Sequence, residues 1–202
     1  MKKDLKPIWI YLICEIGLSI IIGFICGVIN KEANINTMTL IISAISFFVF
    51  IFYYKDMLIK DLKRLSKHDL IIIIGCGLVL FGANALLTSV IGIGSNDNQI
   101  MVEDIVNHYK LIALIIMGFA SPIVEELLFR YSFRTFIKNK YLYLAVSSLL
   151  FGFLHVLGFA GLFYAAIGLV LGLVYLKFED NVVASSIVHI INNVISILLL
   201  II

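Results

Sequence analysis

The sequence predicts an all-α protein: a polytopic transmembrane helix bundle of about seven spans, with its N-terminus in and its C-terminus out. Three observations predict it. Of the 202 residues, 62% are hydrophobic and 14% charged, with a mean hydropathy of +1.10, whereas soluble domains run about 45–50% apolar and about 25% charged. Seven apolar runs approach the roughly 20 residues that a spanning helix needs. The basic residues then sort to alternate ends of those runs. The same composition excludes a soluble globule, which could not cover itself with so few polar residues, and a disordered chain.

The first run, 8–29, follows Met1-Lys2-Lys3 and imitates a signal peptide. It is too long for a signal core and no small-residue cleavage site ends it, so it reads as a retained span. The others are 39–54, 70–93, 111–128, 141–156, 159–176 and 182–202. The second and fifth are short and are expected to extend into their flanks. With the N-terminus inside, Lys2, Lys3, Lys6, Lys55, Lys60, Lys63, Arg64, Lys67, Arg130, Arg134, Lys138, Lys140 and Lys177 are inside and only Lys31 and Lys110 outside, 13 against 2. A different helix count would scramble this alternation.

Between the spans, 55–69 carries Met57, Leu58, Leu62 and Leu65 at helical spacing among charges and reads as a cytoplasmic interfacial helix. The polar stretch 94–110 reads as an outside loop or lid. Gly23-x-x-x-Gly27 and Gly168-x-x-x-Gly172 read as close helix packing. Cys14, Cys26 and Cys76 lack metal-type spacing and read as buried apolar side chains. With no linker or repeat, residues 1–202 form one membrane domain. Within it, 1–110 holds the N-terminal spans and 111–202 the chemistry. The expected location is the cell membrane, multi-pass, in contact with lipid and without a nucleic-acid partner.

Ionisable groups inside spans cost about 2.5–3.5 kcal/mol on insertion scales and mark functional sites. The fourth span ends Glu125-Glu126-x-x-x-Arg130. Glu126 and Arg130 share a helix face four residues apart, so Arg130 can neutralise Glu126 and leave Glu125 reactive. The fifth span aligns Ser148, Gly152 and His155 on one stripe, with Phe151 one turn before His155. The polar residues of the seventh are Ser185, Ser186, His189, Asn192, Asn193 and Ser196, mostly on one face.

Glu125, His155, His189 and Asn193 match the needs of peptide hydrolysis. A carboxylate deprotonates water, a histidine holds or polarises that water, and a donor pair (His189 with Asn193) stabilises an oxyanion. The same Glu125, His155 and His189 could instead ligate zinc, although His-Glu-x-x-His is missing from the sequence. One tension is visible in the spacing. At about 1.5 Å per residue, His155 lies about 21 Å into its span from the inside and His189 about 10 Å. Convergence then needs a late start of the fifth helix, a tilt, or a kink at Pro122.

Together, Glu125-Glu126-x-x-x-Arg130, Phe151-x-x-x-His155 and His189-x-x-x-Asn193 resemble the three motifs of the CPBP family, the CAAX-processing and bacteriocin-processing (Abi-type) intramembrane endopeptidases. The resemblance covers about 111–202. It implies that Glu125 activates water with help from His155, that Glu126 and Arg130 organise the first motif, and that His189 and Asn193 form the oxyanion site. It implies a peptide or protein tail as substrate, in CAAX-type processing, bacteriocin maturation or bacteriocin self-immunity. The family also carries the label metalloprotease. Two other classes compete: a non-catalytic membrane immunity or scaffold protein, and a proton-coupled transporter. The transporter is opposed by the lack of an inverted repeat or paired broken helices. An endopeptidase of this kind is expected to open its cavity to the cytoplasm.

Overall fold

The computed structural model describes residues 4–29, 34–91 and 96–202. They form seven helices in chain order: α1 Lys6–Val28, α2 Ile35–Lys63, α3 Lys67–Ile91, α4 Asp97–Phe136, α5 Lys140–His155, α6 Phe159–Lys177 and α7 Val182–Ile201. Six are long and apolar enough to cross a membrane. The exception is α5, at 16 residues, which spans about 24 Å against a hydrocarbon core of about 30 Å. Among the described residues there is no strand. Large apolar side chains such as Phe24, Phe52, Val79 and Leu154 point outwards, as lipid contact requires.

Four helices start on asparagine. Asn34, Asn96, Asn139 and Asn181 sit in extended backbone and accept N–H bonds from the first turns of α2, α4, α5 and α7, satisfying donors that have no intrahelical partner. At one end of the bundle, Asp4 accepts from Tyr54 and Tyr131, Arg64 pairs with Glu179, and Arg134 pairs with Asp180. At the other end, Asn36 bonds Asp104, Thr37 meets Tyr109 at 3.0 Å, and Lys110 Nζ reaches the Ile201 carbonyl. Asp4 and Ile201 therefore lie at opposite ends. Among the described basic side chains, Lys110 lies at the other end and Arg130 is buried within the bundle, while the rest fall towards the first end; Lys2, Lys3 and Lys31 fall outside the described residues.

Several sequence expectations are corrected. The stretch 55–69 is not a separate interfacial helix, because α2 runs unbroken to Lys63 and α3 begins at Lys67. Its buried Asp61 instead clamps the start of α7: Oδ2 accepts the Val182 N–H at 3.0 Å and the carbonyl accepts from Asn181 at 2.9 Å. The stretch 94–110 is not a loop from Asp97 onward. It is the first part of α4, with Ile105 and Val106 buried against Leu40, Ala113 and Ile197, and it bends at Tyr109, whose φ of −133° and ψ of 40° leave the helical region. The end of the predicted third span, 92–93, lies outside the described residues.

The helix ladder widens to π turns at Leu12–Gly17 in α1 and at Leu114–Ala120 and Leu127–Ser132 in α4. Such turns recur at functional sites. The pair in α4 brackets Pro122, whose ring cannot supply a ladder N–H.

The two glycine pairs differ. An added Cβ at Gly23 or Gly27 would meet nothing within 4 Å, whereas at Gly168 and Gly172 it would press on Phe151 and Leu144 of α5. The α5–α6 hairpin is tightest at Gly152, where a Cβ would fall 2.1 Å from the Gly161 carbonyl oxygen and 2.6 Å from the Ala165 nitrogen. Its turn needs Gly158, with φ of +82°. Gly152→Ala is therefore expected to cost about 3 kcal/mol or more, at or beyond the usual overpacking range, and Gly27→Ala nothing measurable. Melting temperatures of the two purified variants check this.

Candidate active site

Glu125 and Glu126 are adjacent, so they project about 100° apart around α4. Glu126 is fully buried. Its Oε2 accepts from Arg130 Nε at 3.0 Å, and both side chains are 0% exposed. The Arg130 guanidinium also lies 5.0 Å from the Phe151 ring centre. The other oxygen, Glu126 Oε1, lies 3.3 Å from His189 Nδ1. Because a carboxylate held by arginine only accepts, His189 Nδ1 donates to it and leaves Nε2 to face the cavity.

His155 reaches the same state by another route. Its Nδ1 lies 2.7 Å from the Phe151 carbonyl oxygen, so Nδ1 donates and Nε2 is left to face the cavity. The ring stacks on Tyr164, with centroids 5.2 Å apart and planes 14° from parallel, and also touches Phe151. Both Nε2 atoms face one oxygen: Glu125 Oε2 is 3.6 Å from His155 Nε2 and 3.9 Å from His189 Nε2. That oxygen is buried and, among the described residues, receives no hydrogen bond. Two imidazole nitrogens thus face one carboxylate oxygen just beyond direct hydrogen-bond reach.

The depth mismatch counted along the helices is absorbed without a late start, since α5 begins at Lys140. Side chains lean towards the N-terminus of their own helix. His155 on α5 therefore leans back towards the basic end, while Glu125 on the antiparallel α4 leans away from it.

Asn193 stands apart from this trio. Its Nδ2 donates to the Met117 carbonyl at 3.3 Å, and its Oδ1 accepts from Asn192 at 3.1 Å. An amide nitrogen has two hydrogens, so one can still serve an oxyanion. His189 could join it only through a protonated Nε2.

Glu125, His155, His189 and Asn193 all line one cavity of about 310 Å³. A smaller one of about 90 Å³ adjoins it and shares Tyr11, Ser43, Ser121 and Glu125. Its wall holds Glu15, whose Oε1 accepts from Ser46 at 2.9 Å. Sequence reasoning missed Glu15 and Tyr164. An acidic residue in the middle of the first apolar run was a sufficient signal for Glu15. Tyr164 gave none, being one aromatic residue in an apolar helix.

Metal binding has a chemical argument and a geometric obstacle. At metal sites a histidine's second nitrogen is held by a carboxylate or carbonyl, as both are here. Yet among the described residues no three His, Cys, Asp or Glu side chains are arranged to hold an ion.

Residues 107–195 match the family model of Rce1-like proteins, described as type II CAAX prenyl endopeptidase. The match covers 89 of the 202 residues and contains all three motifs, so the CPBP resemblance read from those motifs is borne out over this segment. No curated protein and no solved structure matches the chain.

Proposed function

We propose that the chain is an intramembrane endopeptidase that hydrolyses a peptide bond with water activated by Glu125. The observation that carries this is the unpartnered Glu125 Oε2 facing two imidazole Nε2 atoms inside a cavity. With both imidazoles neutral these are three acceptors around one point, and a water molecule supplies two hydrogens.

In the step we infer, that water attacks the scissile carbonyl while Glu125 takes one of its protons. A carbon–oxygen bond forms, and the oxyanion takes the second Asn193 N–H. As the carbon–nitrogen bond breaks, Glu125 returns the proton to the leaving amine. His155 orients the water, and Phe151 and Tyr164 hold its ring. Glu126 and Arg130 touch no substrate; they fix the tautomer and orientation of His189. The substrate on this reading is a peptide or protein tail, processed in CAAX-type trimming, bacteriocin maturation or bacteriocin self-immunity.

His155→Ala is expected to lower kcat about 10²-fold, within the range of lost acid–base assistance, with little change in KM. Exhaustive chelation is expected to leave activity intact. Loss on chelation with recovery on added zinc would overturn direct water activation. A peptide terminus generated by wild type and not by Glu125→Ala, read by mass spectrometry of membrane and secreted peptides, tests the proposal as a whole. Identical peptide profiles would sink it.

A further inference from the structure

We propose that the substrate reaches Glu125 from the end of the bundle opposite the basic one, and hence that it is a peptide presented on the extracytoplasmic face of the membrane. This rests on the endopeptidase reading above and on the N-in orientation, and it reverses the cytoplasmic opening expected from the sequence.

The first argument is what closes the basic side. Between the catalytic side chains and the basic end lie packed apolar side chains. Ile73, Leu128 and Leu171 are buried in one apolar cluster, and Leu127, Tyr143 and Tyr175 in another. A chain arriving from that end would have to displace them, at about 1.5–3 kcal/mol for each large apolar side chain exposed.

The second argument is where the cavity goes. From Glu125 and His189 it continues past Asn192 and Ser196 to Thr39, Asn98 and Gln99. Ser196 lies seven residues beyond His189 along α7, about 10 Å farther from the basic end. Asn98 is the second residue of α4 and Thr39 the fifth of α2, both at the end where Lys110 meets Ile201. By the rule that Lys and Arg collect on the cytoplasmic side, this is the outer end.

The third argument is chemical. The outer part of the cavity interleaves amides and hydroxyls (Asn84, Asn98, Gln99, Thr39, Ser196) with the apolar Met101, Val102 and Ile197. Among the described lining residues there is no Lys or Arg to draw in a free terminal carboxylate. Amide side chains both donate and accept, which matches the alternating N–H and C=O groups of an extended peptide. The ligand class is therefore an internal, extended stretch of an exported or outward-facing peptide, which sets aside CAAX-type trimming of a cytoplasmic tail among the uses named above.

The test is thiol accessibility in intact cells with a membrane-impermeant sulfonated maleimide, using Ser196→Cys in the cavity wall, Thr39→Cys as a second wall position, and Lys63→Cys at the basic end. The parent chain, with its own Cys14, Cys26 and Cys76, sets the background. Labelling of Ser196→Cys or Thr39→Cys in intact cells, with Lys63→Cys reacting only after permeabilisation, is the expected result. Wall positions that react only after permeabilisation, or not at all from either side, would overturn the proposal. Labelling needs no turnover. If it falls as expected but wild type and Glu125→Gln yield identical peptides, the endopeptidase reading fails and the outward cavity stands.

Discussion

Glu125→Gln is expected to lower turnover of a genuine peptide substrate by about 10²–10⁴-fold, the range for a lost general base, while leaving the fold as stable as wild type or more so. The amide nearly matches the carboxylate in shape but cannot take a proton from water. It also supplies what the site lacks. With both imidazoles neutral, Glu125 Oε2 faces His155 Nε2 and His189 Nε2 with no donor between them, and an NH₂ group in its place would donate to one of these nitrogens. Strain of this kind is tolerated where function requires it, and relieving it typically trades activity for stability. Peptide mass spectrometry and a melting curve on the same preparation check both halves. Retained cleavage would remove Glu125 as the base, and a large fall in melting temperature would mean that its role is structural.

Arg130→Ala is expected to be the most destabilising single change in the site, at about 3–5 kcal/mol, the cost of removing one partner of a buried ion pair. Both members are 0% exposed, so Glu126 would lose its counter-charge and keep its contacts with His189 and Ser185. Arg130→Lys is not expected to rescue. An ammonium lacks the planar fork that spans Glu126 and Ser147 and lies over Phe151. Glu126→Gln combined with Arg130→Met removes both charges together. It is expected to recover much of the stability lost in Arg130→Ala, a non-additivity typical of contacting residues, but not activity, because the orientation of His189 depends on the intact pair. Thermal unfolding of the single and double variants measures this directly, and additive losses would mean that the pair contributes little.

How much was legible beforehand depends on the residue. Arg130 was assigned to Glu126 from spacing alone, because positions four apart on a helix are neighbours whatever the helix packs against. The seven helices were legible because a membrane demands long apolar runs. The helical nature of 97–110 was not, since its buried face is only Ile105, Val106 and a few neighbours and its polar composition resembles a loop. Gly168 and Gly172 share a spacing with Gly23 and Gly27, yet only the former pair meets a neighbouring helix. The pattern states that close approach is allowed, not that a partner arrives.

By itself, then, the sequence determined the all-helical membrane class, the order of the helices, the sorting of basic residues, and the residue types able to do the chemistry. All of these follow from local periodicity and from partition between water and lipid. Only the tertiary structure decided that Nδ1 of each histidine is occupied so that both Nε2 atoms face Glu125, that Glu15 and Tyr164 join the site, and that the cavity runs away from the basic end. Those outcomes depend on how side chains from α1, α4, α5, α6 and α7 interdigitate. Contacts between residues tens of positions apart are set by packing in three dimensions, which no one-dimensional period encodes.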